Sequence, residues 1–99
     1  MFRIWGKLIK QNKILEEKVV EITDQSLTIN EKIQAALETF CHDFDLEKPM
    51  WFDKNTKELN QISKTTFRED QFIESIWFDY LEIEIIDDGK KKKETRRMI

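Results

Sequence analysis

The sequence predicts an α+β domain, with a three-stranded antiparallel sheet carrying one main helix on one face, and three observations carry that expectation. Two apolar/polar alternations at the N-terminus are separated by a short polar turn, the pattern of a β-hairpin. A stripe of apolar residues spaced by three and four follows a helix-start signal. A run rich in β-branched and aromatic residues lies near the C-terminus. The predicted order is strand, strand, helix, an irregular segment with short helices, and strand.

In the first run Phe2, Ile4 and Leu8 alternate with Arg3, Trp5 and Lys7, and in the second Ile14, Glu16, Lys18, Val20 and Ile22 keep the same period. Gln11-Asn12-Lys13 supplies the turn between them, since Asn tolerates a left-handed backbone. Thr28 followed three residues later by Glu31 matches a capping box. Ile29, Ile33, Leu37, Phe40 and Phe44 then form the stripe of a helix over 29–43. Pro49 closes that element. Between Met50 and Ser75 no single period holds. The pairs Asn55/Glu58 and Thr66/Glu69 have the spacing of helix caps, which predicts single turns over 56–62 and 68–74.

The last strand is expected over 76–86. Its apolar phase shifts between Ile76/Phe78 and Leu81/Ile83/Ile85, which asks for a bulge near Asp79-Tyr80. Strand parity puts Trp5 and Trp77 on the face opposite the helix, if the last strand pairs beside the first. The apolar residues of 50–73 are the expected lid for them, so Trp5 and Trp77 should cluster beneath Trp51, Phe52 or Phe67.

A chain of 99 residues holds one modest core, so residues 1–88 are expected to form a single domain and residues 89–99 a disordered basic tail. With 39% hydrophobic and 37% charged residues the composition is polar, yet eleven aromatics argue for a folded chain. Cys41 is the lone cysteine, which excludes an internal disulfide and fits a reducing compartment. No apolar run has the roughly 20 residues that a bilayer crossing needs, and the first residues lack the core of a signal peptide. A cytoplasmic protein with no membrane partner is expected.

Catalytic chemistry has little to stand on. Cys41 and His42 are adjacent on the predicted helix and point about 100° apart, so they form no nucleophile–base dyad. Cys41, His42, Asp43 and Asp45 lack the paired spacing of a zinc site, and Asp87 and Asp88 lack a calcium loop. Glu82 and Glu84 project to one strand face, as two carboxylates of a glycosidase do, or as a solvated face opposite lysines does. Neither Gly6 nor Gly89 belongs to a phosphate loop. No catalytic residue, metal, cofactor or small-molecule substrate is inferred.

Net charge is −3, but its placement is uneven. Residues 89–99 carry Lys90, Lys91, Lys92, Lys93, Arg96 and Arg97 against Glu94, a charge of +5 that leaves −8 on residues 1–88. Such a tail attracts phosphate backbones, acidic proteins and anionic surfaces, or simply solubilises.

The opening Arg3-Ile4-Trp5-Gly6-Lys7-Leu8-Ile9, the segment Lys54-Asn55-Thr56-Lys57-Glu58, and Phe67 to Glu84 with Asp70-Gln71-Phe72-Ile73-Glu74 and Phe78-Asp79 resemble a family of short uncharacterised bacterial proteins. The resemblance covers most of residues 1–86 and implies a bacterial cytoplasmic origin, but no activity. It makes the 51–67 loop a patterned one rather than filler.

The functional expectation is a non-enzymatic interaction domain that binds a protein partner or itself. Its candidate contacts are Trp5, Trp51, Asn55, Phe67 and Trp77. The alternative is a nucleic-acid-associated accessory protein acting through Lys90, Lys91, Lys92, Lys93, Arg96 and Arg97.

Overall fold

Gln11 and Asn12 both take positive φ, at 53° and 65°, the geometry of a tight two-residue hairpin turn. They join β1 (Phe2–Lys10) to β2 (Lys13–Ile22), as the sequence predicts. The computed structural model describes residues 1–89. After the hairpin come α1 (Ile29–Asp43), α2 (Asp53–Ile62), β3 (Lys64–Phe67), a single 3-10 turn (Glu69–Gln71) and β4 (Tyr80–Asp88). All strand pairs are antiparallel, in the order β2-β1-β4-β3.

The class is therefore α+β, but the sheet has four strands where three are expected; the short helix expected over 56–62 is α2, which starts earlier, at Asp53, and the turn expected over 68–74 is the 3-10 turn Glu69–Gln71. The additional strand is β3, only Lys-Thr-Thr-Phe, formed directly after Ser63 reverses the chain at φ 63°. The last strand does pair beside the first, with Gly6 opposite Ile83 and Leu8 opposite Leu81.

Helix α1 begins as expected. Thr28 Oγ1 accepts from the Glu31 amide at 3.1 Å, and Glu31 Oε1 accepts from the Thr28 amide at 2.8 Å. Its buried stripe of Ile33, Ala36, Leu37, Phe40 and Cys41 packs on the sheet. Asp45 at φ 59° ends it, with the Leu46 amide donating to the Cys41 carbonyl at 2.8 Å.

The core lies between α1 and one sheet face, where Phe2, Ile4, Leu8, Leu81 and Ile83 meet Leu37, Phe40 and Phe44, extended by Leu59, Phe67, Phe72 and Phe78. Segment 50–73 packs on this same side, through Leu59, Phe67 and Phe72. It is not a lid on the second face, and among the described residues the second face carries no helix. That face is laid out in cross-strand rows: Glu21-Arg3-Asp87, Val19-Trp5-Glu84-Lys64, Glu17-Lys7-Glu82-Thr66 and Ile14-Ile9-Tyr80.

The expected bulge near Asp79-Tyr80 does not occur. Register shifts fall between Leu8 and Ile9 against β2 and between Arg3 and Ile4 against β4. The apolar phase change at 79–80 is instead where β4 starts, and Ile76 to Phe78 belong to the preceding loop. Among the described residues no helix is long and apolar enough to cross a membrane. The tail expected over 89–99 lies, apart from Gly89, outside the described residues.

Candidate functional site

Asn55, expected as the N-cap of a short helix and named among the candidate contacts, lies inside the protein, and the N-cap of α2 is Phe52. Asn55 occupies the third position of α2 and is fully buried, and its amide makes four hydrogen bonds inside the protein. Its Oδ1 accepts from the Phe52 amide at 2.8 Å and from Gln71 Nε2 at 2.9 Å. Its Nδ2 donates to Thr65 Oγ1 at 2.8 Å and to the Thr66 carbonyl at 3.1 Å. Gln71 Nε2 also donates to the Met50 carbonyl, and the Thr65 hydroxyl donates to Glu58. A side-chain amide has two donors and two acceptor lone pairs, so Asn55 has none left for a ligand. The network ties 50–55 to β3 and to the 3-10 turn, which explains why Thr66 is a strand residue rather than a cap.

The three tryptophans do not cluster. Trp5 lies on the open sheet face, as parity predicts, with its indole Nε1 donating to Glu17 at 3.0 Å and the Lys7 ammonium 3.8 Å from its ring centroid. Trp51 lies on the helix side, donating to Thr56 Oγ1 at 2.9 Å and meeting the buried Phe67 ring at 5.7 Å. It forms one wall of a shallow cleft of ≈ 250 Å³ between α1 and α2, with Ile29 and Leu59. Trp77 is in the loop before β4. The expected burial of Trp5 and Trp77 under Trp51, Phe52 or Phe67 fails because the core-packed residues of 50–73, Trp51, Leu59, Phe67 and Phe72, lie on the other side of the sheet from Trp5 and because Trp77 precedes the strand.

Trp77 is 53% exposed, and Ile73 in the same loop is 83% exposed. The loop is not loose. Phe72 and Phe78, both buried, meet edge to face at 5.8 Å and close it at its base. Trp77 stands edge-on to Phe78 at 5.5 Å, and the Glu74 amide donates to Glu47 Oε1 at 2.7 Å. Beside Trp77 is a cleft of ≈ 220 Å³ between this loop and the end of α1, lined by Leu46, Ile76 and Phe78 and by the acids Asp45, Glu47 and Glu74. Ile73 is missing from the sequence-based candidates. The only signal for it is its place after Phe72, as the second of two adjacent apolar residues in a stretch without a period.

On the open face Lys7 is the unforeseen feature. Only 8% of it is exposed, although the buried core lies on the other face of the sheet. Its neighbours in the sheet cover it: Nζ is 2.9 Å from Glu82, 3.4 Å from Glu84 and over the Trp5 ring. Burial opposes its charge, but hydrogen bonding and attraction from Glu82, and then Glu84, outweigh that and raise its pKa. Glu82 and Glu84 share a face, as the sequence indicates, and hold this lysine between them.

Cys41 and His42 diverge as helical neighbours must: Cys41 is buried, with its thiol pushed up to about 11 by burial, while His42 is exposed with Nδ1 3.3 Å from Asp43. Among the described residues no group of three or more His, Cys, Asp or Glu side chains is placed to hold a metal ion. The nucleic-acid candidates Lys90, Lys91, Lys92, Lys93, Arg96 and Arg97 lie outside the described residues. No protein-family model, curated protein or solved structure matches the chain.

Proposed function

We propose that the chain is a non-catalytic protein-interaction module that presents the 72–78 loop, with Trp77 and Ile73 at its surface, to a protein partner or a second copy of itself. The observation that carries this reading is the pairing of two largely exposed apolar side chains with a loop closed at its base by the Phe72–Phe78 contact. Single exposed apolar residues are ordinary on protein surfaces. Two of them on a loop already held in shape lose little conformational freedom on binding, and a tryptophan gives large contact area per fixed torsion. The buried polar groups of the neighbouring Asn55 network are satisfied internally, so the exposed groups are the ones left to recognise something.

The test places a photo-reactive residue at position 73 and irradiates living cells. Discrete adducts are expected that disappear in the Trp77→Ser background, with none from the same residue at position 57, exposed on α2. Equal adducts from both positions, or a Trp77→Ser protein that no longer folds, overturn the reading.

A further inference from the structure

Resting on the reading of the 72–78 loop as a docking surface, we propose that the cleft beside Trp77 takes an arginine side chain, together with an apolar neighbour, from an exposed segment of a partner protein. Ile76, Trp77 and Phe78 give the cleft apolar surface, and Asp45, Glu47 and Glu74 stand around it with no lysine, arginine or histidine in the lining. On the open sheet face, by contrast, acids are matched: Arg3 lies against Glu21 and Asp87, and Lys7 against Glu82 and Glu84. Lys48, directly after Glu47, is drawn away to Glu38 at 3.3 Å. Among the described residues the carboxylates of Asp45 and Glu74 make no hydrogen bond or ion pair, and Glu47 accepts only through Oε1, from the Glu74 amide.

Three carboxylates grouped without a countercharge repel one another, and a cation entering among them relieves that repulsion. They are not placed to share one metal ion, so the fitting cation is an extended one. At ≈ 220 Å³ the cleft is smaller than the roughly 300–1,000 Å³ of small-molecule sites, which suits one long side chain. A guanidinium answers both halves of the lining. Its planar donors take carboxylates and its face stacks on an indole, whereas an ammonium is more strongly hydrated. Trp77, 53% exposed and fixed edge-on against Phe78, keeps surface free for that stacking. Ile73 stands in the chain between two lining residues, Phe72 and Glu74, and is the exposed apolar contact for the residue beside the arginine. The charge of −8 on residues 1–88 draws such a segment in at longer range.

Titration of the isotope-labelled full chain with the blocked tripeptides Leu-Arg-Leu and Leu-Glu-Leu, followed by NMR, tests this. The Trp77 indole N–H and the amides of 45–47 and 72–78 are expected to shift with the arginine peptide and to stay in place with the glutamate one. Citrulline in place of the arginine keeps the shape without the charge and should cost about tenfold in affinity. Glu74→Gln, and separately Glu47→Gln, which retains Oε1 as acceptor for the Glu74 amide, should each weaken binding about threefold. No shift with the arginine peptide, equal shifts with both peptides, or binding unmoved by either Gln variant overturns the proposal. If changing Lys90 to Lys93 to Gln moves the same resonances without any peptide, the chain's own basic segment is the occupant and the proposal falls. It falls too if sedimentation shows a dimer that Glu74→Lys abolishes, since a second copy then fills the cleft. If the peptide fails while position 73 still gives adducts with another protein, the interaction reading stands and the arginine falls; if neither binds, both fall.

Discussion

Gly6 lies directly under the ring of Phe40: a Cβ built on Gly6 would be 2.7 Å from Phe40 Cγ, Cδ1 and Cδ2. Those ring atoms belong to a fully buried side chain at the centre of the α1–sheet contact, so they cannot swing aside. Gly6→Ala must therefore lift α1 from β1 or distort the strand. Overpacking of this kind costs typically about 1–3 kcal/mol. Urea denaturation should show a lower midpoint with an unchanged slope, and an unchanged midpoint would mean that the Phe40 ring does not press on the strand at Gly6.

The Asn55 hub makes a sharper prediction. Asn55→Ala leaves the Phe52 amide, Gln71 Nε2 and the Thr66 carbonyl each short of a partner in the interior. Buried groups stranded in this way cost about 1–3 kcal/mol each, partly recovered by relaxation, so a total of about 2–4 kcal/mol is expected. Thr65→Val strands fewer groups and should cost about half as much. Calorimetry on the two variants checks the order, and near-equal melting temperatures would sink the hub.

On the open face, Lys7 and Glu82 should be coupled. Lys7→Met with Glu82→Gln in a double-mutant cycle is expected to give a coupling of about 1–2 kcal/mol at low salt, between the values for exposed and buried pairs. The pH dependence has a fixed sign. Because folding raises the Lys7 pKa, its contribution is fully present below the ordinary lysine value of 10.5 and is lost as pH rises through the higher folded value. Stability of the wild type should fall above that pH more steeply than that of Lys7→Met. Parallel curves would remove the ion pair from the account.

What was legible in the chain was local. Thr28 and Glu31 are three residues apart and make both bonds of the capping box, and the hairpin turn needs only Gln11 and Asn12. Strand β3 was not legible, because its four residues become a strand through β4 pairing and through Asn55, ten or more residues away. The same spacing that makes Asn55/Glu58 resemble a cap pair also fits Asn55 at the third helical position, and only the tertiary partners decide between them. Trp77 failed for a related reason: parity holds only within a strand, and β4 begins at Tyr80. Of the candidate contacts, Asn55 and Phe67 proved internal, while the exposed Trp77 gained a companion in Ile73 that periodicity had no means to mark.

Cys41 should be inert. With its thiol pushed up to about 11 by burial, the thiolate fraction at pH 8 is about a hundredfold lower than for an ordinary cysteine, before any steric protection. A thiol reagent at pH 8 should label the native chain at least about a hundredfold more slowly than the urea-unfolded one. Labelling of the native chain at the unfolded rate would show that the α1–sheet interface opens freely. Folding that raises a thiol pKa also costs stability at high pH, with the loss running from the ordinary value of 9.0 up to about 11.

The tryptophans separate packing from recognition. Trp51 is half-buried against the core, meets Phe67 at 5.7 Å and satisfies its indole on Thr56. Its truncation to alanine should cost about 2–3 kcal/mol, less than the 3–5 of a fully buried ring. Trp77 is half out in water and its main ring partner is Phe78, a contact worth about 0.5–1.5 kcal/mol. Trp77→Ala should therefore cost about 1 kcal/mol, or roughly 4–8 °C in melting temperature for a domain of this size, and Trp51→Ala two to three times that. The opposite order would make Trp77 a structural plug and leave the 72–78 loop without an exposed aromatic to offer a partner. If the expected order holds, whatever binding Trp77→Ala removes is lost at the surface, because the fold beneath it survives.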